Sequence, residues 1–340
     1  MIKAGDILEE FYRAGDRFVR AEELAVRFKS VPSGVAAEIA ALGKMGFTIE
    51  SHPHLGHRLL AGPERLMADD IRARLRCWMQ EKRLRQPRTA AEPVIGGEVL
   101  VLEEATSTND VIERLAGTTP GEGLAVFAEF QRQGRGRRGR AWASPRGKGL
   151  WFSVLLRPRL PLSAVTRITV AASVAIAETL RETAGVDARI KWPNDVTVGG
   201  RKLAGILTEL RGETDEMALA VLGIGVDVNC GPGDFPAGVR DAATSLLIET
   251  GQVQDRNALA ARTLAALDDW YGAARADFDR VVGEWAGLCT TLGKQIAVQV
   301  GNRRVEGFAQ ALDGDGALLV RKDNGQMERI VGGDVVVEQA

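Results

Sequence analysis

Cysteine is scarce in this chain: Cys77, Cys230 and Cys289 lie far apart with no paired spacing. That excludes a disulfide framework and a zinc knuckle, and it fits a reducing compartment. Net charge is scarce too, −1 over 340 residues. The chain as a whole is therefore no polyanion binder, and any phosphate or nucleic-acid site must be local. The opening stretch MIKAGDILEEFYRAGDR carries charges throughout and has no apolar core of signal-peptide length, and no later run approaches a membrane span. Internal repeats, extended low-complexity segments and a Walker A sequence are missing as well, so this is no P-loop enzyme. A soluble cytoplasmic protein with no membrane partner is expected, long enough for two or three domains around a substantial core.

What is present centres on Lys191 to Leu210, KWPNDVTVGGRKLAGILTEL. Two runs rich in Val, Ile, Leu and Thr flank Gly199-Gly200, which predicts a hairpin with positive φ at both turn positions. With those two residues as the turn, Val198 faces Arg201, Thr197 faces Lys202, Val196 faces Leu203 and Asp195 faces Ala204. Asp195, Thr197, Lys202 and Ala204 then share one face. Asp195 and Lys202 lie diagonally, roughly 7 to 8 Å apart between backbones, a separation that suits a site better than a closed ion pair. Gly205 removes a side chain where a ligand could approach the backbone. A surface hairpin with one acid and one base is the plain alternative.

Residues 1–62 read as three short helices followed by a β-wing: Ile7, Leu8, Phe11 and Tyr12 have helical spacing, a second helix spans Ala21 to Phe28, and a third carries Val35, Ile39 and Leu42. Extended pieces from Phe47 to Glu50 and His57 to Leu60 complete a winged helix-turn-helix. The third helix, Ser33 to Leu42, offers no basic residue and one acid, Glu38. Base edges and phosphates are normally read by Arg, Lys, Asn or Gln, so DNA binding and a purely structural role both stay open. His52, His54 and His57 all fall in the wing, and no metal ligand set is assigned to protein side chains. Residues 63–95 form a linker. It holds an Arg-rich helix from Asp69 to Arg85, read as a solvated connector, and a proline-containing stretch from Gln86 to Pro93.

In residues 96–288 a strand from Glu98 to Glu103 leads through Thr106-Ser107-Thr108-Asn109-Asp110 into a helix. Ser107 with Asp110 three residues on predicts a capping arrangement. A second strand, Leu124 to Gln131, runs into Gln133-Gly134-Arg135-Gly136-Arg137-Arg138-Gly139-Arg140, then Trp142. Gly134, Gly136 and Gly139 match a dinucleotide fingerprint literally, but no helix follows and no acid sits about twenty residues on for a ribose. What remains is a loop with four guanidinium groups in six residues, whose mutual repulsion is expected to be offset only by bound anions. Such a loop should be mobile when empty and ordered over a phosphate-bearing ligand. A nucleic-acid patch is the alternative.

GRGRRGR followed by Trp, TSTN upstream, KWPND and RKLAGILTEL downstream, then Gly223-Ile224-Gly225 and Ala243-Thr244-Ser245-Leu246, in this order, resemble the biotin protein ligases. The likeness runs through the whole chain and so extends to the bifunctional ligase and repressor class. It implies an α/β (α+β) protein with a class II aminoacyl-tRNA synthetase-like mixed sheet in the catalytic domain, flanked by the winged helix and an SH3-like barrel. By that resemblance Ser107, Thr108, Gln131 and Arg137 hold the biotin ureido end, with Gly205, Gly223 and Gly225 lining its pocket. Arg135 and Arg140 belong to a loop closing over the adenylate, with Arg135 also counted among the biotin contacts. Lys202 meets the biotin carboxylate and the α-phosphate, Asn194 and Trp142 lie on the nucleotide side, and Asp195 faces the acceptor amine. Lys202, Asp195 and Arg137 form the catalytic set. Asp227 stands where the family usually has Asn, on the adenylate side. ATP, Mg²⁺ and biotin are the implied reactants, a biotin carboxyl carrier domain is the implied partner, and a homodimer is compatible with the class.

Residues 289–340 contain short β-like runs, Gln295 to Val300, Val305 to Leu312, Ala317 to Arg321 and Glu328 to Val331, separated by Gly-rich turns such as Asp313-Gly314-Asp315-Gly316. A unit of this size relies on packing against its neighbour; the resemblance implies that it helps position ATP or the acceptor, with a merely structural cap as the alternative. Two rivals to a biotin ligase remain: a repressor that senses biotinyl-AMP, and a lipoyl ligase, which shares the central architecture but is not expected to carry the GRGRRGR loop.

Overall fold

The computed structural model describes residues 2–85, 93–118, 121–211 and 219–337. The stretch expected as a proline-containing linker, Gln86 to Pro93, lies outside the described residues except for Pro93. The chain opens with helices α1 (Ala4–Ala14), α2 (Ala21–Arg27) and α3 (Pro32–Lys44) and the hairpin β1 (Thr48–His52) and β2 (Gly56–Ala61). Ile7, Leu8, Phe11, Leu24, Val35, Ile39 and Leu42 form their common core, as the helical spacing predicts. The outward face of α3 is smooth: Ser33, Ala36, Ala37, Ala40 and Gly43 are exposed, and Lys44 at its end is the one basic residue on the helix. In that hairpin, His57 Nδ1 lies 2.8 Å from Ser51 Oγ, and His52 Nδ1 accepts from the His54 and Leu55 amides.

Helix α4 (Ala68–Arg85) follows, and it is not the solvated connector the sequence suggested. Ala73 packs into the amino-terminal core, while Ile71 and Leu75 belong to the main core of the molecule. A helix whose opposite sides serve two cores cannot show a single apolar stripe, so its composition alone reads as solvated.

The remaining elements before the carboxyl-terminal unit are β3 (Val99–Leu102), α5 (Thr108–Ala116), β4 (Ala125–Ala128), β5 (Gly149–Leu156), α6 (Val165–Ala184), β6 (Arg189–Lys191), β7 (Asp195–Val198), β8 (Arg201–Arg211), β9 (Leu219–Asp227), α7 (Leu246–Thr250), α8 (Arg256–Ala276) and α9 (Phe278–Leu288). Seven strands form one mixed sheet in the order β3-β4-β5-β9-β8-β7-β6, parallel at β3 and β4 and antiparallel elsewhere. One face carries Phe152, Val154, Ala204, Ile206, Ala220, Leu222, Ile224 and Val226 against α6 and α8. The segment Leu162–Ala184 is long and apolar enough to cross a membrane, which corrects the expectation that no run reaches that length. Here 61% of that window is buried inside the fold, so it serves as the core helix of the sheet. Helix α5 covers one end of the opposite face through Ile112 and Ala116. The rest of that face is left open.

The carboxyl-terminal unit is a five-stranded antiparallel sheet: β10 (Gln295–Val300), β11 (Arg303–Leu312), β12 (Leu318–Arg321), β13 (Met327–Ile330) and β14 (Asp334–Val337), ordered β13-β12-β11-β10-β14. Four of these strands follow the β-like runs of the sequence. The fifth, β14, closes against β10 and was not anticipated. Thr166 Oγ1 donates to Asp315 O at 2.7 Å and Arg167 pairs with Asp315, which anchors the unit to the start of α6.

Candidate active site

Register assembles the open face. Asp195 pairs with Gly205, Gly205 with Gly225, and Gly225 with Trp151, so four strands contribute one row; Leu207, Gly223 and Ser153 form the next. Two adjacent glycines in a row leave a trough in the sheet. Above it lies a cavity of about 890 Å³. Its lining includes Ser107, Thr108, Gln131, Arg135, Arg137, Arg140, Trp142, Asn194, Asp195, Lys202, Gly205, Gly223, Gly225 and Asp227. Residues far apart in the sequence thus meet in a single hollow, and none of the expected site residues lies elsewhere.

The hairpin turns at Gly199-Gly200, both with positive φ. Val198 faces Arg201 and Thr197 faces Lys202 as expected, but a bulge then shifts the register: Val196 faces Ala204 and Asp195 faces Gly205. The extra residue is Leu203, which is fully buried. A bulge reverses the parity of everything beyond it, so Ala204 turns into the core and Gly205 takes the place predicted for it. The expected gap between Asp195 and Lys202 is also corrected: Lys202 Nζ lies 2.6 Å from Asp195 Oδ1. With no side chain on Gly205, the lysine stem lies across it, its Cε 3.1 Å from where a Cβ would stand.

The glycines are occupied by protein rather than held open. A Cβ on Gly225 would come within 2.5 Å of the Trp142 indole, one on Gly205 within 2.7 Å of the same ring, and one on Gly223 within 2.4 Å of Asn109 Oδ1. Trp142 therefore seats in the trough, with Lys202 Nζ 5.0 Å from its ring centroid. Its Nε1 is buried without a hydrogen-bond partner among the described residues. Such a donor is costly to leave unsatisfied.

Ser107 stands at the N-cap of α5 with extended φ and ψ, yet its side chain makes no capping bond, which corrects the capping expectation. Instead the Thr108 amide donates to Gln131 Oε1 at 2.9 Å, and Gln131 Nε2 donates to Ser144 Oγ at 2.9 Å. Beneath them Thr108 Oγ1 and Ser153 Oγ are 2.6 Å apart, Ser153 donates to Asn109 Oδ1, and Asn109 Nδ2 donates to Glu209 Oε2 at 2.6 Å. Asn109, Ser153 and Glu209 went unrecognised in the sequence. Alternation on β5 and β8 could have pointed to Ser153 and Glu209, since both face the cavity side among apolar neighbours.

The arginine loop is held by the protein itself, contrary to the expectation that only bound anions offset its charge. Arg135 pairs with Asp110 at 2.6 Å and Glu209 at 3.2 Å, while Arg138 and Arg140 share Asp334 at 3.0 and 2.6 Å. Three carboxylates on three distant elements engage three of its four arginines, which a local reading of GRGRRGR cannot see. Arg137 forms no ion pair among the described residues. It donates to Asn194 Oδ1 at 3.0 Å and to Gly333 O at 3.4 Å, and Asn194 is fixed in turn by donating to Ile206 O. Burial, then the neighbouring Arg138, lowers the Arg137 pKa from its usual value. Burial opposes the charge on Arg135 too, but bonds to Asp110 and Glu209 outweigh it and the pKa rises. The uncompensated cation of the loop is thus Arg137.

Asp227 closes the inner end of the cavity at 6% exposure. Burial raises its pKa well above the usual carboxylate range, against weaker opposing effects from the Cys230 thiol, 3.7 Å away, and the Lys202 charge. The shift favours the protonated acid, which donates as well as accepts, whereas an ionised Asp only accepts. Among the described residues no three His, Cys, Asp or Glu side chains converge to hold a metal ion.

Comparisons with known proteins agree with this geometry. Residues 101–227 match the model of the biotin/lipoate A/B protein ligase family, and residues 291–337 match the biotin protein ligase C-terminal domain. A bifunctional ligase/repressor BirA of Bacillus subtilis is 30% identical over 97% of this chain and 97% of its own. A biotin–[acetyl-CoA-carboxylase] ligase of Mycobacterium tuberculosis is 31% identical over 75% of this chain and 97% of its own. Among solved structures, a biotin protein ligase from Aquifex aeolicus in complex with biotin and ATP superposes with a TM-score of 0.61, at 28% identity, covering 72% of this chain and 100% of that one.

Proposed function

The chain belongs to the biotin protein ligase family, and from that premise we propose how its cavity works on biotin, ATP and an acceptor lysine. The protein is an ATP-dependent biotin–protein ligase. The observation that carries the assignment of roles is the convergence of Arg137 and Lys202 on one cavity, linked through Asn194 and Asp195.

A carboxylate is a poor acyl donor because its leaving group would be oxide. In the first step a biotin carboxylate oxygen bonds to the α-phosphorus of ATP, the bond from that phosphorus to the bridging oxygen breaks, and pyrophosphate leaves. Two anions must meet for this. Lys202 and Arg137 supply positive charge where the negative charge builds, in a partly dry cavity where each counts for more than in water. Ser107, Thr108 and Gln131 receive the ureido end of biotin, and Asn194, Trp142 and Asp227 receive the nucleotide. Among the described residues no three His, Cys, Asp or Glu side chains converge on a metal site, so the Mg²⁺ expected with ATP would be held by the phosphates, where it would offset their charge.

In the second step the acceptor amine attacks the carbonyl carbon of biotinyl-AMP, the bond to the phosphate oxygen breaks, and AMP leaves. The amine must shed a proton, and Asp195 is placed to take it or to orient the amine. Its pair with Lys202 then has to open, which follows when the reacting anions draw the lysine toward themselves.

The reading extends to residues 1–62 as a winged helix-turn-helix, 63–95 as a linker, 96–288 as a catalytic domain of the class II aminoacyl-tRNA synthetase type, and 289–340 as an SH3-like barrel. Repressor activity is a separate matter, tested by a gel shift against the organism's own biotin-gene promoter. For ligation, a biotin carboxyl carrier fragment incubated with the protein, ATP and biotin should gain one biotin on a lysine by mass spectrometry. Transfer of lipoate instead would move the assignment to a lipoyl ligase.

A further inference from the structure

We propose that Asp334 is a positioning residue for the first step: from the carboxyl-terminal sheet it pins Arg138 and Arg140 and so sets Arg137 at the mouth of the cavity. The inference rests on the ligase reading of that cavity and adds to it a role for a residue from the other sheet.

Asp334 begins β14, paired in register with Gln299 on β10. Its Oδ2 accepts from both Arg138 and Arg140, and Arg138 also donates to Gln299 O at 2.9 Å. Two neighbouring residues of one sheet thus grip one turn of the loop. That turn needs gripping, because Arg138 has φ +56°, a left-handed conformation costly for a residue with a Cβ. Arg137 immediately precedes the gripped Arg138 and donates to Gly333 O, and a Cβ on Gly332 would stand 2.8 Å from its Nη2. The Gly332-Gly333 turn is therefore a wall against which the guanidinium rests. Gly333, Asp334 and Val335 line the cavity beside it. Asp334 holds Arg138 and Arg140, and Arg137 is the guanidinium of the loop with no carboxylate partner among the described residues.

The test uses the full-length chain, with ATP, biotin and labelled pyrophosphate, and reads biotin-dependent ATP–pyrophosphate exchange. Asp334→Asn should raise KM for ATP about fivefold, the scale of a half-exposed charge pair, with kcat within about twofold. Asp334→Glu should return KM most of the way. Because Asp334 acts through the two arginines, adding Asp334→Asn to the Arg138→Ala, Arg140→Ala double variant should change KM no further. An unchanged KM in Asp334→Asn overturns the proposal. So does an additive effect in the triple variant, or a joint fall in kcat and thermal midpoint that Glu does not rescue. Wild-type protein with no biotin-dependent exchange at all would instead defeat the ligase reading and take this proposal with it.

Discussion

Lys202 reaches Asp195 because nothing stands on Gly205 between them, and the pair is about a third exposed. A pair of that exposure contributes at most about 1 kcal/mol to folding, whereas a charge aimed at a developing anion can contribute about 10² to 10³ in rate. Lys202→Ala should therefore cut adenylate formation by about that factor while the thermal midpoint barely moves. Pyrophosphate release alongside a melting curve checks it, and adenylate formed at the wild-type rate would remove Lys202 from the mechanism. Asp227 leads to a stability prediction with a definite sign. Its folded pKa is raised by burial, so its contribution is fully present below the unfolded value near 4 and is lost as pH rises toward the folded value. Asp227→Asn should thus be more stable than wild type at neutral pH, with the gain shrinking to nothing as pH falls to about 4. A gain independent of pH would mean that Asp227 does not titrate as described.

At the scale of elements, the β7–β8 hairpin shows how one extra residue redirects a site. The bulge at Leu203 turns Ala204 into the core and puts Gly205 beside Gly225, and the paired glycines make the trough that Trp142 fills. Gly225→Ala would place a Cβ 2.5 Å from the indole, well inside contact distance, on a rigid ring. Overpacking of this kind costs about 1–3 kcal/mol. The variant should lose stability in that range and shift its tryptophan fluorescence as the ring is forced from the trough. Unaltered fluorescence and stability would show that the indole does not rest there.

For the whole molecule, the decisive connection is a buried polar cluster behind the cavity. Glu129, two residues before Gln131, pairs with Arg256 at 2.8 Å, with side chains 5% and 3% exposed. Glu129 also accepts from the Leu66 amide at 2.5 Å, Arg256 donates to Glu64 O and Gly149 O, and Asn257 bonds Pro63 O, Arg65 O and the Met67 amide. The segment leaving the amino-terminal unit is thus fastened to the strand that carries the site. A second fastening joins Tyr12 of α1 to buried Asp70 of α4, which Arg74 ties to Asp255 at the head of α8. Removing one member of a buried pair leaves an uncompensated charge and costs about 3–5 kcal/mol. Glu129→Ala should lower the denaturation midpoint accordingly and increase proteolytic cleavage near residues 62–67. Cleavage there at the wild-type rate would show that the cluster does not hold the segment.

Local pattern determined much of this protein: the three amino-terminal helices and their hairpin, the Gly199-Gly200 turn and four of the five carboxyl-terminal strands, while the residues that line the cavity were named through the resemblance to a known family. The helices, strands and turn are written in nearest-neighbour chemistry, through period and turn residues, and need no knowledge of what lies across the molecule. The register shift at Leu203, the partners of the arginines, the raised pKa of Asp227 and the two-sided burial of α4 were decided only by tertiary structure. Each depends on groups brought together from distant positions: Asp334 sits 196 residues after Arg138, and the pKa of Asp227 is raised by the surroundings that bury it. A charge or a bulge takes its meaning from what faces it, and only the folded chain specifies that.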